Sequence, residues 1–178
     1  MCGLWSDTYK DMVNYGNGCA DEKGGDIVDF QADIDMRNVP WTPVENFTGT
    51  FNGNGHRIYN INVSADGRYA GFFAYAKGAI SDVVFGSKDG TSYDGTSRIE
   101  LTYSADTDTW CYAGIVAQSN NTLTGVTSSV PVPVTADPRS QSRNGGIVAL
   151  LINGTTTRSR NYGAETNVAT AGGAGYAA

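Results

Sequence analysis

Tyr69-Ala-Gly-Phe-Phe-Ala74, Tyr112-Ala-Gly-Ile-Val-Ala117 and Asn144-Gly-Gly-Ile-Val-Ala149 are three copies of one word. Each carries a glycine, two apolar residues and an alanine, followed by a polar turn. A second short segment follows each copy: Ile80-Ser-Asp-Val83, Leu123-Thr-Gly-Val126 and the more polar Thr156-Thr-Arg-Ser159. A fourth copy opens at Ala171-Gly-Gly. Aligned on Gly71, Gly114, Gly146 and Gly173, the copies are unequally spaced. A constant word with variable spacing predicts a constant coil from which loops of different length project, because each coil of a solenoid touches only its neighbours. An antiparallel sandwich would use similar strands, but has no reason to repeat the same word. The pattern therefore predicts an all-β chain, a right-handed parallel β-helix (solenoid) with three faces. Gly71, Gly114 and Gly146 are expected to stack along one edge.

Upstream, alternation and β-branching predict strands over Ile27–Met36, Phe47–Phe51 and Arg57–Val63, with Ile58, Ile61 and Val63 inward around a local irregularity. Asn52-Gly-Asn-Gly55 suits a tight turn that needs positive φ. The N-terminus reads differently. Ser6 is a suitable N-cap, Tyr9, Met12 and Val13 share one helical face, and Gly16 is placed to stop a helix. A short amphipathic helix over Asp7–Tyr15 is expected to cap the solenoid. Residues 1–25 are thus read as a cap and 26–178 as β-helix repeats. Ala171–Ala178 looks like the opening of another repeat, so the repeats are expected to continue beyond the C-terminus, or the open last coil to self-associate.

Composition narrows the function. The 178 residues include 23 glycines and carry a formal charge of −6, from 12 basic and 18 acidic side chains. That sign disfavours nucleic acid as a partner. After Trp110 the balance reverses, with Arg139, Arg143, Arg158 and Arg160 against Asp137 and Glu165, as either an anion patch or a solvated face. The longest apolar run, Ile147–Ile152, is too short to span a bilayer. Three cysteines without paired spacing and a single histidine speak against a zinc site, and no cofactor or metal is expected. Cys2 and Cys19 flank the expected cap helix and are placed for a disulfide, whereas Cys111, in a core strand, is expected to be a buried thiol.

The stretches Asp33–Met36, Trp41-Thr-Pro-Val44, Phe47-Thr-Gly-Thr-Phe-Asn-Gly-Asn-Gly-His-Arg-Ile58 and Tyr69–Phe73 resemble the GLUG-motif β-helix proteins. These are bacterial cell-surface and adhesin-like chains of Bacteroidetes type. The resemblance runs from about Asp26 to the C-terminus. It implies a secreted, extracellular or surface-anchored scaffold whose repeats carry no catalytic residue. The chain departs from the pattern at Asn52, where Asp is usual, and at Thr156–Arg160, where apolar or small residues are usual.

The residues able to do chemistry fit that reading. His56 follows the Asn-Gly-Asn-Gly turn with no nucleophile context, and reads as a turn-stabilising side chain. Asp33 and Asp35 alternate along a strand, as do Asp106 and Asp108. Such pairs on a β-helix face would suit a polysaccharide lyase or glycoside hydrolase, or a structural cation, but neither pair is a complete set. Tyr69 and Tyr112 occupy one repeat position, so rung-to-rung stacking accounts for them, and Trp41 reads as packed. Trp110, after a polar loop, is the aromatic side chain nominated for exposure. The expected binding residues are Trp110, Asp106 and Asp108. The expected function is a non-catalytic surface scaffold or adhesion module that presents loops at Gly86–Arg98, Ser104–Thr109 and Val132–Gln141 to a glycan or protein partner. The alternative is a carbohydrate-active enzyme on the same scaffold.

Overall fold

The computed structural model describes residues 3–6, 27–87, 89, 92–93, 95–104, 110–136, 140–163, 165–169 and 175–177. Among them there is no helix, and every strand pairing is parallel. The expected cap helix over Asp7–Tyr15 and the Cys2–Cys19 pair lie outside the described residues. Ser6 is the last residue of a strand, Gly3–Ser6, paired in parallel with Ile27–Phe30.

Five parallel sheets, not three faces, carry the strands. The first holds Gly3–Ser6, Ile27–Phe30, Thr50–Asn52, Ala79–Ser81, Leu123–Thr124 and Thr156–Thr157. The second holds Ile34–Asp35, Arg57–Tyr59, Val84–Phe85, Thr127–Ser128 and Arg160–Asn161. The third holds Asn62–Ala65, Arg98–Tyr103, Val132–Ala136 and Glu165–Ala169. The fourth holds Tyr69–Ala70, Trp110–Ala113, Gln141–Asn144 and Gly175–Ala177. The fifth holds Phe73–Ala76, Val116–Ser119 and Val148–Leu151. From Thr50 onward the chain visits the first, second, third, fourth, fifth and again the first sheet, in unchanging order.

That order explains two departures from the sequence reading. Ile27–Met36 is not one strand: Ile27–Phe30 belongs to the first sheet and Ile34–Asp35 to the second. Likewise Arg57–Val63 is split between Arg57–Tyr59 and Asn62–Ala65. The irregularity there is a corner at Asn60, whose φ is +54°. Asparagine tolerates this left-handed conformation better than most residues. A third departure concerns the loops. Val132–Ala136 is a strand of the third sheet with Val132, Val134 and Ala136 buried, so the first half of the expected Val132–Gln141 loop is strand.

Register places like residues above one another. In the first sheet, Val28, Phe51, Ile80 and Leu123 form one inward column, ending on the exposed Thr156. In the second, the column runs Ile34, Ile58, Phe85, Ser128 and Asn161. In the fifth it is Phe73, Val116 and Val148. All six phenylalanines are fully buried, and they occupy the first circuits. Phe51 lies between Phe30 at 5.2 Å and Phe73 at 5.1 Å, both edge to face. Trp41 is packed, as its sequence context suggested. It stacks on Phe72 at 4.5 Å while its indole Nε1 donates to the Phe72 carbonyl. Further along, the core is aliphatic: Ile99, Leu101, Ile115, Val116, Leu123, Val126 and Val130. Where polar residues enter it they are satisfied locally, as when buried Asn144 donates to the Val132 carbonyl.

The glycine column differs from the sequence alignment by one residue. Ala113 pairs with Asn144, so Gly114 stands over Gly145, not Gly146. Gly146 is an added residue at the corner, after which Val116 pairs with Val148. The reason for glycine here is close approach of backbone. A Cβ on Gly71 would lie 2.6 Å from the Gly114 carbonyl oxygen, and one on Gly114 would lie 2.7 Å from that of Gly145. Gly114→Ala is therefore expected to lower stability by about 2 kcal/mol through forced backbone displacement. Gly67→Ala, where a Cβ meets nothing within 4 Å, should stay within about 0.5 kcal/mol. Urea unfolding of the two variants checks the difference.

Cys111 is fully buried and free, in agreement with its strand position. Burial pushes its thiol up to about 11. A raised folded value means stability is intact below the unfolded value and falls as pH rises between that value and about 11. In the folded protein the peptide containing Cys111 should resist iodoacetamide at pH 8, and label once urea unfolds the chain, as peptide mass mapping would read.

Candidate functional site

The outer face where the fourth and fifth sheets meet collects aromatic side chains over small ones. Strand alternation turns Ala70 and Ala113 inward, so Tyr69 and Tyr112 point out. Their rings stack at 5.8 Å with 13° between planes, since the two residues are direct register partners. On the fifth sheet the outward column is alanine: Ala74, Ala117 and Ala149. Tyr112, Ala117 and Ala149 form an apolar cluster separate from the core, with Tyr69, Trp110 and Leu150 against it. Outer side chains of two sheets touch in this way only where the corner between them is concave. The glycines at that corner let the sheets fold toward each other.

A groove of about 250 Å³ opens at one end of this face. Glu45, Asn46, Tyr69, Ala74, Tyr75 and Gln118 line it. Tyr75 and Gln118 are register partners on the fifth sheet. Glu45 and Asn46 come from the preceding circuit, in the short crossing between Val44 and Phe47, which bridge to Phe73 and Ala76. The groove thus combines two tyrosines, an alanine floor, two amides and one carboxylate.

Trp110 is half-buried beside this face, not freely exposed. The Arg143 guanidinium lies 4.3 Å from the centre of its ring, and Arg68 Nε donates to its carbonyl at 3.1 Å. Asp106 and Asp108, its expected companions, lie outside the described residues. So does most of Ser104–Thr109. In the Gly86–Arg98 loop, Asp89 accepts from the Ser87 and Ser92 hydroxyls and from the Ser92 N–H, which ties that loop together.

The other carboxylates hold turns. Asp33 accepts from the Arg57 backbone N–H and from Arg57 Nε at 3.0 Å, with His56 Nδ1 at 3.4 Å. The His56 backbone N–H closes the turn onto Gly53. Asp35 accepts from Asn60 Nδ2 and the Arg37 N–H, so the two aspartates, though near in sequence, serve different partners. Asp29 accepts from the Asn52 and Asn54 amides, which accounts for asparagine at position 52. Among the described residues, no group of three or more His, Cys, Asp and Glu side chains is placed to hold a metal ion.

Sequence reasoning missed Glu45, Asn46, Tyr75 and Gln118. For Tyr75 and Gln118 a signal existed, since each stands four residues after its repeat glycine. Glu45 and Asn46 belong to no repeated word and carry none. No helix among the described residues is long and apolar enough to cross a membrane. Compared with protein-family models, curated proteins and solved structures, the chain matches none.

Partial burial raises the Asp33 carboxyl, but the Arg57 N–H and guanidinium, with His56, outweigh this and hold it below its ordinary 3.8. A lowered folded value means its stabilisation is present above the unfolded value and is lost as pH falls through the folded one. Asp33→Asn should therefore be more destabilising at neutral pH than near pH 3. Urea midpoints of both proteins at the two pH values test it, and an equal gap at both would show that the charge contributes nothing.

Proposed function

We propose that the chain is a segment of a right-handed parallel β-helix of the GLUG-motif type, acting outside the cell as a non-catalytic surface module that binds a glycan. The observation that carries this is the groove at Tyr69 and Tyr75, with its alanine floor and the Asn46, Gln118 and Glu45 side chains at its edges. Ligand sites are largely apolar hollows with a few placed polar groups. The C–H face of a sugar ring suits an aromatic wall, and its hydroxyls suit amides and a carboxylate. Alanine on the neighbouring sheet leaves the rings uncovered, where larger side chains would fill the corner.

The β-helix reading is supported by the constant order of the five parallel sheets and by stacked equivalents such as Tyr69 over Tyr112. The non-catalytic reading is supported by what the carboxylates do. Asp29, Asp33 and Asp35 each hold a turn, and the groove is lined by a single carboxylate, Glu45. Glycoside hydrolysis ordinarily uses a pair.

A glycan array probed with the wild-type chain, together with a reducing-end assay on the same preparation, tests the reading. Binding without release of reducing ends is expected, and Tyr75→Ala should weaken it about tenfold. Protein-dependent release of reducing ends would assign a carbohydrate-active enzyme instead. Absence of binding to every glycan would overturn the module reading.

A further inference from the structure

We infer that the glycan taken by this face is acidic, a sugar chain carrying carboxylate groups; this rests on the glycan reading above. Six cations among the described residues fall into two sets, with Arg57 also lying over a ring, 3.9 Å from the centre of Tyr59. Arg57, Arg98 and Arg158 each face a carboxylate, at Asp33, Glu100 and Asp82. Lys77, Arg68 and Arg143 instead lie over aromatic rings of one surface. Lys77 Nζ is 5.1 Å from the centre of Tyr75, Arg68 Cζ is 5.7 Å from that of Tyr69, and Arg143 Cζ is 4.3 Å from that of Trp110. Among the described residues, none of these three has a carboxylate within ion-pair distance.

In a chain of formal charge −6, three cations that face no carboxylate among the described residues, set along one aromatic face, form a local positive field. Such a patch attracts anions and raises their local concentration. The rings also prepare the cations to bind. A guanidinium resting against an indole spends no N–H donor on the ring, and a guanidinium can receive a carboxylate in two hydrogen bonds. Among the described residues, Arg68 donates from its Nε to the Trp110 carbonyl. Glu45, the groove's one carboxylate, sets polarity along the site. It repels a ligand carboxylate from the Asn46 side and accepts sugar hydroxyls there, leaving acidic groups to Lys77, Arg68 and Arg143. A neutral polysaccharide would stack on the same rings and leave these cations unused. An isolated anion such as phosphate would use the cations and leave the groove empty.

The test compares two hexasaccharides that differ only at C6: a β-1,4-linked mannuronate hexamer and β-1,4-linked mannohexaose. The wild-type chain should bind the mannuronate hexamer about tenfold more tightly at low salt, and lose most of that preference in about 0.5 M NaCl. Lys77→Gln, Arg68→Gln and Arg143→Gln should each reduce the preference, weakening the mannuronate hexamer more than mannohexaose. Thermal midpoints confirm folding; should Arg68→Gln not fold, the other two variants decide. Equal or tighter binding of mannohexaose would overturn the acidic assignment and leave the glycan reading standing. Binding of neither would overturn the acidic assignment for this chain, and the glycan array alone decides the glycan reading. Mannuronate preference that survives all three substitutions would place the acid-binding groups elsewhere and also overturn it.

Discussion

Backbone hydrogen bonds between successive circuits, kept in register through the corners as well as the strands, are the constraint on which the rest of this structure depends. Gly53 N–H donates to Ser81, Asp82 to Thr124 and Gly125 to Thr157, each at 2.8 Å, at the turn from the first sheet into the second. From the circuit of Asp82 onward, the chain bends there in the same way. Asp82, Gly125 and Arg158 accordingly all adopt φ between +46° and +67°. For an aspartate or arginine this conformation costs on the order of 1 kcal/mol.

Once register is set, side chains have little choice of neighbour. Each sits over its equivalent in the next circuit, and the character of a column becomes the character of a face. The inward column of the first sheet runs from Val28 through Phe51, Ile80 and Leu123 and reaches threonine at the exposed Thr156. Thr124 and Thr157 meet at 3.1 Å through their hydroxyls, so a polar column forms a ladder of its own. Outside, the same rule lays tyrosine on tyrosine and alanine beside alanine, which is how a concave aromatic surface arises from short strands.

Polar chemistry is divided by position. Along the first two sheets, carboxylates and amides are tied to one another and to turns, as in Asp29 with Asn52 and Asn54, or Asp33 with Arg57. On the fourth and fifth sheets aromatic and small residues stand outward beside Gln118, and Arg68, Lys77 and Arg143 rest on rings there. The functional reading follows this division. A charged group already hydrogen-bonded to its own turn has little to offer a ligand, whereas one held over a ring keeps its donors available.

Much of this was legible in the chain itself, because a repeat is a local record of a long-range contact. The shared word around Gly71 and Gly114 identified residues that pair 43 positions apart. The alternation around Ile58, Ile61 and Val63 identified side chains that prove buried. The packing of Trp41 and the burial of Cys111 could be read in the same way. Other features had no local record. The bends at Asn60 and between Phe30 and Ile34 looked like strand continuations, because neither interrupts the apolar pattern; at Asn60 a single residue in a left-handed conformation turns the chain. The stack at Gly145 depended on which of two adjacent glycines meets a carbonyl, and backbone approach decides that. Glu45 and Asn46 reach the groove only because the crossing between Val44 and Phe47 lies one circuit away from Tyr75. By itself the sequence determined the repeat, the inward residues and the pairing of equivalents, all of which follow from periodicity. Only the tertiary structure decided the number of sheets, the concave corner and the cations laid over its rings, since these depend on angles between strands that no single segment encodes.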